Sequence, residues 1–494
     1  MHKDVVRTRF APSPTGYMHI GNLRTALFEY LVAKCQGGKF ILRIEDTDQK
    51  RYVDGAIDKI FNALEISGLD FDEGPGKEGN YGPYIQSERK NVYMERALEL
   101  IDRGHAYRCF CTEERLDALK QESQDGVQGY DRHCRDLSQE EIARHLENGD
   151  PFVIRQKMPL SGETSYDDAV FGRITVKNEQ LEDQILIKSD GFPTYNFANV
   201  VDDHDMNITH VVRGSEYLSS TPKYVLLYEA FGYDVPVFVH LPLINGKDGH
   251  KLSKRHGATS FEDLLDDGYL PEAIINYLAL LGWSPSGTQE IFSLSELIDN
   301  FNIKGIQKSP AVYDEDKLAW FNSQYLKELS SDKFTELALP YYMKVFTEKS
   351  LPSPDKLSIL ADVLRPRINK LTEIEDKVRF LAEFGEYSPE LFFHKKMKTT
   401  PESSYPVLLE LRDELEKIDD FSYDYLHEFL VNYAKEKELK NGQVMSPLRL
   451  ALTAVPVSPG GAVEALMLLG KDESLKRLGI SIDKLKEYLE TNIK

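Results

Sequence analysis

The sequence predicts an α/β fold: a parallel-sheet unit in its N-terminal two thirds, followed by an all-helical C-terminal third. Three observations carry this. Residues 5–44 read as strand, turn, helix and strand; residues 183–241 repeat strands and a helix; and strand signals fade beyond about residue 325.

The first element is the short β-prone stretch Val5 to Phe10, bounded by Pro12 and Pro14. Apolar residues at Leu23, Ala26, Leu27, Tyr30 and Leu31 then recur at helical spacing. Gly37 and Gly38 stop that helix. Phe40 to Ile44 reads as a buried strand, and the whole as a βαβ unit with a parallel pair. In such sheets ligands sit beyond the carboxyl ends of the strands. That puts Ser13–Asn22 and Glu45–Asp48 on one rim. A helix N-terminus at His19-Ile-Gly-Asn22 offers N–H groups and positive potential to phosphate. Gly21 allows close backbone approach, and His19 can donate to phosphoryl oxygens. A lone histidine there more often only caps its helix; the surrounding pattern favours the functional role.

In the second passage Asp183–Lys188 reads as a strand and Gly191–Tyr195 as a turn. Thr209–Arg213 is another strand, with Arg213 at its carboxyl end. Thr221 and Pro222 read as cap and first residue of a helix closed by Gly232, and Val235–Leu241 as a further strand. The loop Asn245–Gly257 follows. Its glycines give it freedom, and its four cationic side chains suit a polyanion more than a solvated face.

The net charge of −21 from 60 Lys and Arg against 81 Asp and Glu excludes a general nucleic-acid coat. Four cysteines in 494 residues exclude a disulfide scaffold and suit a reducing cytosol. No apolar run has signal-peptide or membrane-span length, so a cytoplasmic chain is expected. In the last third, 357–371, 407–418 and 475–489 show helical spacing, with 351–354 and 399–404 as linker candidates.

Pro12-Ser-Pro-Thr-Gly-Tyr-Met-His19-Ile-Gly-Asn22 resembles the first signature of class I aminoacyl-tRNA synthetases, and Lys251-Leu-Ser-Lys-Arg255 the second, about 230 residues away. Arg9-Phe-Ala-Pro, Arg43-Ile-Glu-Asp-Thr-Asp48 and Tyr195-Asn-Phe-Ala-Asn199-Val-Val-Asp-Asp-His204 narrow the resemblance to the bacterial glutamyl-tRNA synthetases. It covers the whole chain but thins after residue 330, where Ser446–Arg449 and Pro459–Gly461 still read as family text. Asn22 and Leu252 replace a histidine and a methionine of the general class I motifs. The resemblance implies a class I Rossmann-type catalytic domain with an inserted acceptor-binding domain, followed by an all-α anticodon-binding region. On that frame the expected parts are residues 1–106 and 183–230 for the catalytic domain, 107–182 for the insertion, 231–325 for a stem-contact domain, and 326–494 for anticodon binding, itself in two parts meeting near 380–400. Trp320 and Asn322 are expected to pack at the junction.

The implied reaction activates L-glutamate with ATP, accompanied by Mg²⁺, and passes it from glutamyl-adenylate to the terminal adenosine of tRNA-Glu, with tRNA-Gln as a further acceptor left open. The implied catalytic residues are His19, Gly21, Asn22, Lys251 and Lys254. Those implied for ATP are Pro12, Ser13, Thr15, Gly16, His19, Gly21, Glu216, Leu252, Ser253 and Lys254. Glutamate, with two carboxylates and an ammonium, needs arginines and an acid. Arg9 and Arg213 fit the carboxylates and Glu45 the ammonium, with Ala11, Ser13, Tyr195 and Asn199 completing the pocket.

Cys109, Cys111 and Cys134 suggest a structural zinc site, since zinc takes four S, N or O ligands. Asp136 stands where relatives have histidine, with Tyr130 and His133 as competitors for the fourth place; Cys35 stands apart. Residues 394–398, Arg365, Arg367 and Arg449 are candidates for RNA backbone contact. Residues 331–494 carry 24 basic against 28 acidic residues, so that end is near neutral and the acidic excess lies in residues 1–330. A monomer is expected from the family. Competing readings are a glutaminyl-tRNA synthetase, disfavoured by the helical last third, a small-molecule nucleotidylyltransferase sharing the His-x-Gly turn, and an inactive RNA-binding relative.

Overall fold

A computed structural model describes residues 5–51, 53–77, 79–122, 130–253, 257 and 260–492. The chain divides into two compact units, residues 1–266 with 271–315, and residues 267–270 with 316–494.

In the first unit β1 (Arg7–Phe10) leads to a helix at Ile20–Lys34 and then to β2 (Lys39–Leu42). The two strands pair in parallel, Arg7 opposite Lys39 and Phe10 opposite Leu42. The return into β2 needs its two glycines. Gly37 takes a left-handed φ of 63°, and a Cβ on Gly38 would stand 2.3 Å from the Val6 carbonyl oxygen.

Next come β3 (Ala106–Cys109), β4 (Val153–Gln156), the hairpin of β5 (Glu163–Asp168) and β6 (Gly172–Lys177), and β7 (Ile185–Ile187). β3, β4 and β7 form an antiparallel sheet. The strand expected at 183–188 is therefore shorter and belongs to an antiparallel sheet, not to a parallel unit. Three apolar residues specify burial but not the direction of a partner. Residues 195–205, read only as signature text after a turn, form a helix.

β8 (His210–Gly214) and β9 (Val237–Leu241) pair in parallel, and β5 joins β9 where Asp168 faces Phe238. The Thr209 N–H donates to the Arg7 carbonyl at 3.0 Å, which seats β8 beside β1. Between β8 and β9 runs the helix Thr221–Phe231, closed by Gly232 at φ 71°. Ser220, not Thr221, holds the cap position; the Thr221 hydroxyl donates instead to the Tyr217 carbonyl at 2.7 Å. β10 (Ile244–Asn245) and β11 (Ala311–Val312) make a short parallel pair. Tyr93, Phe197, Val200, Val211, Leu227 and Phe238 pack as the core beneath these strands. Each such side chain stabilises the fold by about 1.5–3 kcal/mol.

The second unit is helical, with helices including Ser331–Tyr342, Pro354–Leu364, Ile374–Ala382, Pro401–Glu416, Tyr423–Glu436, Asn441–Thr453, Ala462–Leu469 and Lys471–Asn492. Leu408, Leu411, Leu430, Leu448, Leu466 and Leu478 form its centre. The expected linker at 399–404 is instead a helix start. The Thr400 hydroxyl accepts the Ser403 N–H at 3.2 Å, and Pro401 begins the first turn. Asn322 is fully buried: its Oδ1 accepts the Leu270 N–H (2.8 Å) and its Nδ2 donates to the Asn369 carbonyl (2.6 Å). Trp320 is 42% exposed, so the packing expected of it falls to Asn322 and Phe321.

Candidate active site

After β1 the chain turns through residues 11–18. The Phe10 carbonyl accepts the Arg43 N–H at 2.9 Å and the Pro12 carbonyl accepts the Glu45 N–H at 3.0 Å. This ties the turn to the segment following β2. Ser13, Pro14, Thr15, Glu45, Asp48 and Arg51 line a small cavity of about 30 Å³ there. Gly16 takes φ 131°, a conformation other residues rarely adopt. Ala11 is half-buried and Pro12 buried.

His19 is the N-cap of the first helix. Its Nδ1 accepts the Gly21 N–H at 3.0 Å. A Cβ on Gly21 would lie 3.1 Å from that nitrogen, which is tighter than side chains normally allow. With Nδ1 as acceptor, the proton of the neutral ring sits on Nε2, leaving that edge a donor. The helix-capping role and a donor role are thus compatible in one side chain. Asn22 is exposed on the first turn, its N–H donating to the His19 carbonyl at 2.8 Å.

The second signature stretch begins as a tight return after β10. Asn245 bridges Lys251, the Leu252 N–H donates to the Ile244 carbonyl at 2.9 Å, and Gly249 takes φ 80°. Leu252 is buried, and the exposed Lys251 lies 3.3 Å from Glu216. A Cβ on Gly214 would stand 2.0 Å from a Glu216 carboxylate oxygen, so a side chain there would displace that carboxylate. Ser253 is half-buried. Lys254, with Arg255 and His256, lies outside the described residues. Beyond them Ser260 forms a β-bridge with His19, and the Phe261 N–H donates to the Met18 carbonyl at 2.8 Å. The two signatures therefore share one rim.

The arginines expected to hold glutamate differ in their surroundings. Arg9 is buried and already paired: its Nε lies 3.0 Å from Asp203 and its Nη1 3.2 Å from Glu29. Arg43 joins the same cluster, 2.7 Å from Asp203 and 2.9 Å from Glu45. Burial pushes the Asp203 carboxyl up, but Arg9 and Arg43 more than offset it and hold it below the usual range. For Glu45 burial wins over Arg43 and Arg9, and its carboxyl is pushed up to about 7. Arg213, at the end of β8, meets no carboxylate among the described residues. Its Nε donates to His240 Nε2 (3.2 Å) and its Nη2 to the Thr221 hydroxyl (2.7 Å). Tyr217 and Tyr224 flank it, their ring centres 5.1 and 4.4 Å from the guanidinium carbon. The Tyr195 ring lies 5.7 Å from that of Tyr217, and the buried Asn199 donates to the Tyr195 carbonyl at 2.8 Å.

Away from this rim, the sulfurs of Cys109, Cys111 and Cys134 lie within 4.8 Å of one another. The Tyr130 hydroxyl is 3.2 Å from the Cys109 sulfur and 3.7 Å from that of Cys111. Asp136 does not join them. Past Cys134 the chain turns outward, and the exposed Asp136 carboxylate lies 3.5 Å from Lys157. His133 is exposed, its N–H donating to Asp131 at 3.3 Å. Cys35 stands on the first helix. In the helical unit Arg449 donates to the carbonyls of Val455 (3.1 Å) and Pro456 (2.7 Å), Arg367 to that of Val363 (2.8 Å), and Arg365 to that of Leu329. These arginines hold turns of their own chain.

Sequence reasoning did not single out Glu29, Asp168 or His240, and it read Thr221 only as a helix cap. Glu29 lies off the apolar stripe of Leu23, Ala26, Leu27, Tyr30 and Leu31 that marked its helix. Asp168 and His240 lie 72 residues apart on separate strands, with no local motif joining them.

The comparisons with known proteins agree on one family. The family of class I tRNA synthetases (E and Q), catalytic domain, matches residues 5–320, and an anticodon-binding domain matches residues 333–482. A glutamate–tRNA ligase of Clostridium novyi is 56% identical over 485 residues, spanning 98% of this chain and 99% of the relative. That of Clostridium tetani is 54% identical over 492 residues, spanning 99% and 100%. Among solved structures, a glutamate tRNA ligase from Elizabethkingia meningosepticum in complex with its amino acid superposes with a TM-score of 0.87 at 37% identity, covering 97% of this chain and 99% of that one.

Proposed function

The chain belongs to the glutamate–tRNA ligases, class I tRNA synthetases of the E and Q type, and on that premise we propose how its side chains divide the reaction. The enzyme joins glutamate to tRNA at the expense of ATP. The observation supporting the division is the His19–Ser260 bridge, which sets the phosphate-binding turn beside the Lys251 loop, on the strand-end rim that also carries Glu45 and Arg213.

ATP lies along the turn formed by Pro12, Ser13, Thr15 and Gly16, with its phosphates at the helix start of Gly21 and Asn22. His19 donates from Nε2 to the α-phosphate as negative charge grows there. Lys251 and Lys254 face the departing pyrophosphate as point charges, and Glu216 steadies Lys251 until the nucleotide arrives. Leu252 and Ser253 border the adenosine. Mg²⁺, when bound with ATP, neutralises charge between the phosphates. Glutamate enters with its side-chain carboxylate on Arg213. Its ammonium lies toward Glu45 and Ser13, and Ala11, Tyr195 and Asn199 shape the remaining wall. Arg9, balanced by Asp203 and Glu29, sets the floor of this pocket and contacts the substrate as a hydrogen-bond donor. The α-carboxylate attacks the α-phosphate and pyrophosphate leaves; the tRNA terminal hydroxyl then attacks the adenylate's carbonyl carbon, forming the ester and releasing AMP. Holding the reacting atoms in line accounts for much of the rate.

The three cysteines and the Tyr130 hydroxyl offer a soft, tetrahedral-capable donor set that fits zinc. Zinc there would knit the segment between β3 and β4, within the 107–182 insertion that we assign to the tRNA acceptor end. We assign the anticodon to the helical unit, and a monomer in the cytoplasm as the working state. No helix among the described residues is long and apolar enough to cross a membrane.

Aminoacylation of purified tRNA-Glu and tRNA-Gln with radiolabelled glutamate tests this reading. ATP-dependent charging of tRNA-Glu is expected, and charging of neither tRNA would overturn it. Charging of tRNA-Gln as well would define a relaxed acceptor range.

A further inference from the structure

Among the described residues, both side-chain hydrogen bonds of Arg213 go to neutral acceptors. His240 is fully buried on β9, and its Nε2 accepts from Arg213 Nε at 3.2 Å. Nε2 is therefore unprotonated, and the ring proton lies on Nδ1, which donates to Asp168 Oδ2 at 2.6 Å. Asp168 is itself sealed in, its carboxylate accepting the backbone N–H groups of Val170 (3.0 Å), Phe171 (2.8 Å) and His240 (3.2 Å). On the other edge the Thr221 hydroxyl spends its proton on the Tyr217 carbonyl and offers a lone pair to Arg213 Nη2 at 2.7 Å. One group is left over: among the described residues, the buried Arg213 Nη1 has no hydrogen-bond partner. An unpaired donor on a buried cation costs more than an ordinary unmade bond. It leaves a buried donor for a substrate carboxylate.

We propose that His240, fixed in its Nδ1-protonated form by Asp168 and seconded by Thr221, is the positioning residue that presents Arg213 to the substrate carboxylate. The proposal rests on the assignment of Arg213 to glutamate. The physical logic lies in what the relay keeps away. A carboxylate placed directly on Arg213, as Asp203 is on Arg9, would satisfy the guanidinium before the substrate arrived. An imidazole spacer supplies the same directional hold while leaving the arginine charge for the ligand. That favours a carboxylate over an amide, because only the former balances a buried cation.

The test uses the full-length enzyme in steady-state charging of tRNA-Glu. His240→Leu removes the acceptor, and the KM for glutamate is expected to rise about tenfold or more, as loss of a hydrogen bond to a charged group implies. The KM for ATP should stay within about twofold, and discrimination against glutamine should narrow. His240→Gln, whose amide oxygen can take the place of Nε2, should recover most of the loss. An unchanged glutamate KM in His240→Leu, a parallel rise in both KM values, or a Gln variant as poor as the Leu variant overturns the proposal. If His240→Leu does not fold, Thr221→Val carries the test through the other acceptor, with the same expected rise and the same overturning result. Arg213→Ala separates the two readings. If it too leaves the glutamate KM unchanged, the assignment of Arg213 fails; if it alone raises KM, only the His240 relay fails.

Discussion

His19 and Ser260 form an isolated antiparallel bridge, so a turn at the start of the chain is held by a residue 241 positions later. The bridge sets the geometry in which the capping histidine works. Because Nδ1 is committed to the Gly21 N–H, the cap and the proposed donor role of His19 use different ring nitrogens, and substitutions can divide them.

His19→Ala should lose both. Stability should fall by about 1 kcal/mol for the missing cap, and kcat by about 100-fold or more for the missing donor. Asparagine is a good cap but does not reach as far, so His19→Asn should regain the stability and not the rate. Thermal unfolding alongside charging kinetics checks this. An Asn variant with near-normal kcat would mean that the histidine only caps its helix.

Glu45 should make glutamate binding sensitive to pH. Burial raises its carboxyl to about 7, so it gains a proton as pH falls through that value and no longer attracts an ammonium. A group with that value predicts a KM for glutamate that is flat in mild alkali and rises about tenfold from pH 8 to pH 6. Glu45→Gln should raise KM and flatten the profile. A wild-type KM constant across this range would contradict the assignment.

The cysteine cluster should hold metal. The sulfurs of Cys109, Cys111 and Cys134 already lie within 4.8 Å of one another. Metal analysis of chelator-washed protein should find close to one zinc per chain, and Cys111→Ser should lose most of it. Less than about a tenth of an equivalent in the wild type would end the zinc reading.

Asn322 should matter for folding and not for chemistry. Replacing it with alanine strands the buried Leu270 N–H and the Asn369 carbonyl at a cost of about 2–4 kcal/mol. Urea titration of the helical signal should show it, with the KM values unchanged. A loss below about 0.5 kcal/mol would mean that water replaces these bonds.

Much of this was legible before any coordinates. The β1–helix–β2 unit is written in local spacing and two glycines, and Arg213 follows from a strand end. The signals that failed were those needing a partner far along the chain. β7 reads as a strand, but nothing in Ile185–Ile187 says that Val153–Gln156 lies antiparallel to it. Residues 399–404 look like a linker because Thr, Pro and Ser are common in both loops and helix starts. Asp136 was expected at the sulfurs from its place in the chain, while the turn after Cys134 carries it to Lys157. Arg9 was matched to a substrate carboxylate with no sign of its own partners, because Glu29 and Asp203 stand 20 and 194 residues away.

The central claim is that Arg213, held by neutral groups, is the anchor for glutamate. Charging of tRNA-Glu by the wild type and by Arg213→Ala, at saturating ATP and varied glutamate, tests it most directly. The account predicts that kcat/KM for glutamate falls by about 1000-fold or more while the KM for ATP barely moves. A variant that keeps a near-normal glutamate KM would contradict it.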